Sequence, residues 1–143
     1  MRISDVLRNK GTDVATVRPD ATVRELLSGL VEHNIGAMVV VESAGVIAGM
    51  VSERDVVRHL HERGHDVLDL PVSAIMTKLA ATCGLNSSVD DLSELMTEKR
   101  VRHIPVVVDD RLVGIVSIGD VVKTRMDELQ TERQQLRAYI IQG

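Results

Sequence analysis

A nine-residue run occurs twice in this chain, and its duplication restricts the possible folds more than any other feature. Gly49-Met50-Val51-Ser52-Glu53-Arg54-Asp55-Val56-Val57 returns as Gly114-Ile115-Val116-Ser117-Ile118-Gly119-Asp120-Val121-Val122, at an offset of 65. Glycine, two apolar residues, serine, two variable positions, aspartate and a Val-Val pair are kept both times. A lone Ser-x-x-Asp is a weak signal, because many helices begin that way. Two copies, each directly after a β-rich stretch, mark two copies of one structural unit. A unit of about 65 residues buries too little surface to stand comfortably alone, so the copies are expected to share one body.

The spacing of apolar residues supplies the rest of the unit. Ile3, Val6 and Leu7 predict a short helix over 3–8, and Val14 to Val17 a brief extended segment. Val23, Leu26, Leu27, Leu30 and Val31 fall at helical spacing up to about Asn34. Ala37 to Val41 and Val46 to Val51 read as a strand pair turning at Glu42-Ser43-Ala44-Gly45, after which Ser52 opens a helix that stops at Gly64. The order then repeats. Val72 to Thr77 matches the opening segment, Thr82 corresponds to Thr16, and Val89, Leu92, Leu95 and Met96 restate the amphipathic helix at an offset of 66. His103 to Val108 and Leu112 to Val116 are the second strand pair, one residue shorter at the turn. Each unit is thus β-α-β-β-α. The expected boundaries are 1–70 and 71–126, with 127–143 as a helical extension of the last helix. That helix is expected from Gly119 to about Ile141, or roughly 35 Å at 1.5 Å per residue. Along it Val122, Leu129 and Leu136 recur every seven residues, as do Met126, Arg133 and Ile140. Such a seam suits another helix, and docking on a partner subunit is favoured over packing on the chain's own body.

Composition closes off several function classes. The formal net charge is −4 and Tyr139 is the sole aromatic residue. A nucleic-acid binder would need a basic excess and stacking platforms, and neither is present. The single cysteine, Cys83, allows no internal disulfide and no Cys-based zinc cluster. The first residues lack a signal-peptide core and no apolar run reaches membrane-spanning length, so a reduced, cytoplasmic setting is expected.

The repeated run has two readings. Serine at the N-cap with aspartate three residues on can simply satisfy the free N–H groups of a helix start. The same geometry also offers donors and partial positive charge for a phosphate, with a carboxylate able to accept from ribose hydroxyls. The glycine ahead of it lets another group approach the backbone closely.

Taken with Val101-Arg102-His103-Ile104-Pro105-Val106-Val107 and the lead-ins at 72–77 and Thr82, the repeated Gly-φ-φ-Ser-x-x-Asp-φ-φ resembles a tandem pair of cystathionine-β-synthase (CBS) domains. The likeness runs from Ile3 to about Lys123. It implies an α/β (α+β) fold of two pseudo-symmetric β-α-β-β-α repeats packed sheet to sheet. It also implies a regulatory module rather than an enzyme, pairing into a flat homodimer, without a catalytic cofactor. Two clefts between the repeats would take an adenosine-containing ligand: AMP first, then ATP or NAD, with S-adenosylmethionine a further member of the class. One cleft would combine Ser52, Arg54 and Asp55 with Thr82, Val101, Arg102, His103 and Pro105. The other would combine Ser117 and Asp120 with Thr16, Ala21, Ile35 and Gly36. Aspartate would hold the ribose, serine and its helix start the phosphate, and backbone near Val101 or Ile35 the adenine edge. A downstream protein, which the residues do not identify, would receive the signal; nucleic acid and membrane are not expected partners. The alternative is a ligand-free dimerisation or interaction module in which both motifs only cap helices.

The clefts are unequal. The first gathers Arg54 and Arg102, whose guanidinium groups suit phosphate, whereas Ile118-Gly119 and Gly36-Ala37 occupy the corresponding places in the second. Tighter phosphate binding is expected in the first. Other residues read as structural. His59 and His61 point in different directions on their helix, Gly64 breaks the turn before His65, and no nearby cysteine completes a metal site. Cys83 lacks an activating base, Asp90-Asp91 sits at a helix start, and Asp109-Asp110 makes a hairpin turn.

Overall fold

Thr22 and Ser88 lie 66 residues apart, and each accepts a hydrogen bond from the backbone N–H three residues on, at 3.1 and 3.0 Å. Each thereby starts an amphipathic helix, and the two units unfold from there in parallel. The computed structural model describes residues 1–142. Its elements are α1 (Ile3–Lys10), β1 (Thr16–Val17), α2 (Val23–His33), β2 (Ala37–Val41), β3 (Ile47–Ser52), α3 (Glu53–Arg63), α4 (Val89–Lys99), β4 (His103–Val108), β5 (Arg111–Ser117) and α5 (Ile118–Gln142). Two 3₁₀ segments, Gly64–Asp69 and Val72–Ala74, join the halves.

The first sheet runs β1-β2-β3, with β1 parallel to β2 and β3 antiparallel to it. The second is the antiparallel pair β4-β5. The registers repeat: Val40 faces Gly49 as Val106 faces Gly114, each beside a bulge. The missing residue lies in the second turn, where Asp109 (φ 52) and Asp110 (φ 63) both take left-handed backbone, as a tight type I′ turn requires. The expected opening strand of the second unit shrinks to one parallel bridge, Cys83 to Val106. That of the first unit is limited to Thr16–Val17.

Two aliphatic cores form, and the lead-in segments are exchanged between them. Ile3, Val6 and Leu7 of α1 are buried with Val89, Leu92, Ile104, Val106 and Val116 of the second unit. Val67, Val72 and Ile75 are buried with Val23, Leu26, Val40 and Val51 of the first. The segment at 72–77, expected to match α1, makes only a 3₁₀ turn. Its Thr77 N–H instead donates to the Met50 carbonyl, and Met50 N–H donates back, both at 2.9 Å, so sheet pairing ends the helix. Glycine permits this. A Cβ on Gly49 would stand 2.6 Å from the Thr77 oxygen, and one on Gly114 would stand 2.8 Å from Leu7 Cδ1. The motif glycines therefore admit the exchanged lead-ins rather than a ligand. Val39 and Pro105 are buried on the faces turned away from these cores, which needs cover from both sides of β2 and β4. The hairpins meet where Leu112 N–H donates to the Gly45 carbonyl at 3.1 Å.

The start of α5 packs down through Val121 and Thr124, and Arg125 pairs with Asp90 on α4. Beyond that the seam is uncovered: Leu129 is 63%, Leu136 62% and Ile140 67% exposed. The apolar stripe thus does not serve to cover the chain's own body. No helix among the described residues is long and apolar enough to cross a membrane.

Candidate functional site

Both Ser-x-x-Asp motifs fold into closed capping boxes. Ser52 N–H donates to Asp55 Oδ2 at 2.8 Å and Ser52 Oγ donates to the same oxygen at 3.1 Å, while Asp55 N–H donates to Ser52 Oγ at 3.3 Å. Ser117 and Asp120 repeat this at 2.8, 2.9 and 3.2 Å. The next N–H of each helix is taken by a backbone carbonyl from the turn before a strand. Glu53 donates to Gly36 at 2.9 Å, and Ile118 donates to Arg102 at 2.8 Å. In each unit, then, the loop ahead of β2 or β4 is tied to the helix start. Of the residues foreseen for the first cleft, Ser52, Arg54, Asp55, Val101, Arg102 and His103 all line one cleft of about 760 Å³. That volume lies within the usual range of about 300–1,000 Å³ for small-molecule sites.

The cleft crosses between units, with α3 on one side and the α4–β4 turn on the other. Arg54, Arg100 and Arg102 reach it from both sides and make no ion pair or side-chain hydrogen bond among the described residues. Three free guanidinium groups together in a chain of net charge −4 make this a local anion-attracting region, even with Glu53 and Asp55 on the same walls. Arg100 also holds left-handed backbone (φ 56, ψ 44) as the C-cap of α4. Its counterpart Asn34 holds the same conformation (φ 53, ψ 51), which asparagine adopts far more readily than arginine. An arginine kept in that backbone, with its side chain on the cleft, points to a demand on the side chain.

Burial depresses the His103 imidazole pKa below its ordinary value, with the nearby Lys10 and Arg102 charges adding to the effect and Asp120 opposing it. His103 is therefore a neutral hydrogen-bonding group at pH 7. Val101 N–H is spent on the Met96 carbonyl at 3.1 Å, so at this position only the carbonyl is left for a ligand.

The remaining residues are dispersed. Pro105 is buried in β4, and Thr82 is exposed beside the Cys83 bridge. Thr16 lies exposed on β1 and Ile35 is 37% exposed, while Ala21 packs on the first core and its carbonyl accepts from Val72. Gly36, foreseen for the second cleft, lines the first. Asp120 borders a different hollow of about 150 Å³ between α1 and α5. Burial raises its carboxyl pKa, but the Lys10 ammonium and the Ser117 hydrogen bonds outweigh that and hold it below the usual range. Met50, Thr77, Met96 and Thr97 also line the large cleft and went unforeseen. Thr77 could not have been placed without the lead-in exchange, whereas Arg100 adjoins Val101 and could have been included on adjacency. Cys83 is buried, with its thiol pushed up to about 11, in keeping with an inert role. No group of histidine, cysteine and carboxylate side chains among the described residues could hold a metal.

The family model of the CBS domain matches residues 3–62 and 72–127. CBS domain-containing protein YhcV of Bacillus subtilis (strain 168) is 38% identical, over 87% of this chain and 87% of that one. The crystal structure of the CBS-domain containing protein ATU1752 from Agrobacterium tumefaciens is 46% identical. It superposes with a TM-score of 0.82, covering 87% of this chain and 99% of that one. The CBS domain pair of protein MJ0100, in complex with 5′-methylthioadenosine and S-adenosyl-L-methionine, shares the fold at a TM-score of 0.78 and 23% identity, over 90% and 98% of the two chains.

Proposed function

This chain belongs to the CBS-domain family as a tandem pair, and on that premise we propose that it is a regulatory, non-catalytic module that binds an adenine nucleotide in the Asp55 cleft. The observation that carries this reading is that three arginines without side-chain partners among the described residues line, with the start of α3, one cleft spanning both units. Asp55 accepts from the ribose hydroxyls through Oδ1, which makes no hydrogen bond among the described residues; Oδ2 is committed to Ser52. Arg54, Arg100 and Arg102 take the phosphate, with charge-assisted bonds that outweigh neutral ones. The adenine amino group donates to the Val101 carbonyl. The adenosine ligands of the MJ0100 pair favour the adenosine class, and the arginines on the cleft favour a phosphate-bearing member of it, AMP first and ATP or NAD next.

Signalling would work by differential binding. A nucleotide that bridges α3 and the Arg102 turn favours one placement of the units over others. Arg102 accepts from Ile118, the first residue of α5, so the cleft and the long helix share a bond. The exposed stripe of α5 would pass that state to a second copy of the chain or to another protein. Exposure of Val57 (65%) and Val122 (51%), the second valine of each motif, likewise favours a homodimer over the α3 and α5 surfaces.

A thermal-shift panel of AMP, ADP, ATP, NAD and S-adenosylmethionine tests the reading. Ligand at a hundred times its Kd should add about 2.7 kcal/mol. For a chain of this size that raises the melting temperature by roughly 5–10 °C. Asp55→Asn keeps an oxygen for the Ser52 cap and should remove most of the response. A flat panel on well-folded protein would leave the second reading, in which both boxes only cap helices. Analytical ultracentrifugation of Leu129→Lys/Leu136→Lys should show loss of dimer if α5 is the contact.

A further inference from the structure

We propose that Lys10 is an internal occupant of the second ribose position, so that each chain takes one nucleotide and α1 keeps the second motif closed. This rests on the ribose role given above to Asp55. The two boxes are built alike, with the serine N–H 2.8 Å from the carboxylate in each. They differ in what else reaches the carboxylate. Lys10 Nζ donates to Asp120 Oδ2 at 2.6 Å and to the Ile115 carbonyl at 2.8 Å. Asp55 has no cationic partner among the described residues.

Lys10 is held there by the lead-in exchange. It ends α1, whose Ile3, Val6 and Leu7 are buried in the second core, with Leu7 seated against Gly114. In the first unit the matching segment is the short turn at Val72–Ala74, followed by the Thr77–Met50 pairing, and the position aligned with Lys10 is Leu79. The lysine on that route, Lys78, follows Thr77 and makes no ion pair with Asp55 or any other described residue. At Asp120 an ammonium and two serine donors already share Oδ2, so the carboxylate charge is compensated within the chain. Its remaining oxygen is a weaker acceptor than the Oδ1 of Asp55, which has no cation beside it. The adjacent hollow of about 150 Å³ is also below the size of ordinary ligand sites, about 300–1,000 Å³.

Calorimetric titration of the full chain with AMP, and in parallel with ATP, tests this. Wild type should bind one equivalent per chain and Lys10→Met two, with Lys10→Gln as a second variant and circular dichroism confirming the fold of each. In an Asp55→Asn/Arg102→Ala background, heat should vanish and then return on adding Lys10→Met. It should vanish again with Asp120→Asn. Two equivalents in wild type, or one in both Lys10 variants, overturns the inference while leaving the first cleft intact. No heat in any variant overturns the nucleotide reading and this inference with it.

Discussion

Arg100→Asn separates what the cleft needs from what the fold needs. Left-handed backbone costs an ordinary L-residue about 1–2 kcal/mol, a penalty that asparagine largely escapes. The Arg100 side chain makes no hydrogen bond or ion pair among the described residues, so its removal forfeits no intrachain partner. Apo stability should therefore rise by about 1 kcal/mol, or roughly 2–4 °C in melting temperature at this chain length. Ligand affinity should move the other way. A hydrogen bond to a charged group contributes about 1.5–3 kcal/mol, which solvent exposure of Arg100 cuts to about 1. That corresponds to roughly five- to tenfold weaker AMP binding, read by calorimetry beside urea unfolding of the apo protein. The mirror variant Asn34→Arg should cost about 1 kcal/mol and leave binding in the Asp55 cleft unchanged. Unchanged affinity in Arg100→Asn would refute the assignment of this guanidinium to the phosphate, and unchanged stability would refute the strain argument.

Gly49→Ala should destabilise by about 1–3 kcal/mol, because its Cβ would meet the Thr77 carbonyl and force the Met50–Thr77 pair apart. Gly84→Ala, with open space around it, is the control that should melt with wild type. His103 has a lowered pKa in the folded state, so the unfolded chain binds more protons below about pH 6.5. Stability should then fall as pH drops from about 6.5 through the folded-state value, and His103→Gln should flatten that slope in a pH series of urea melts. Bound phosphate should draw a proton onto His103, detected as buffer-dependent binding heat near pH 6. Cys83, with a thiol raised to about 11, should resist a thiol reagent at pH 8 until denaturant is added, and fast labelling of the native protein would contradict its burial.

Much of this was legible in one dimension. Duplication of Gly-φ-φ-Ser-x-x-Asp announced two units, and local chemistry dictated their parts: Ser52 as the cap that opens α3, apolar runs for β2 to β5, Gly64 as a stop. These features depend on neighbours three or four residues away, and such neighbours are visible in a string. Six residues of the large cleft were also foreseen, through the resemblance of the two repeats to CBS domains. What the string does not carry is which segment crosses to which core. Packing sends α1 into the second unit and 72–77 into the first, because each motif glycine leaves room for one lead-in and no more. The crossing brings Thr77 to the large cleft and Lys10 to Asp120, 110 residues away. Two motifs alike in sequence thereby become chemically unlike, one carboxylate bordering the cleft with no cationic partner and the other paired with an ammonium.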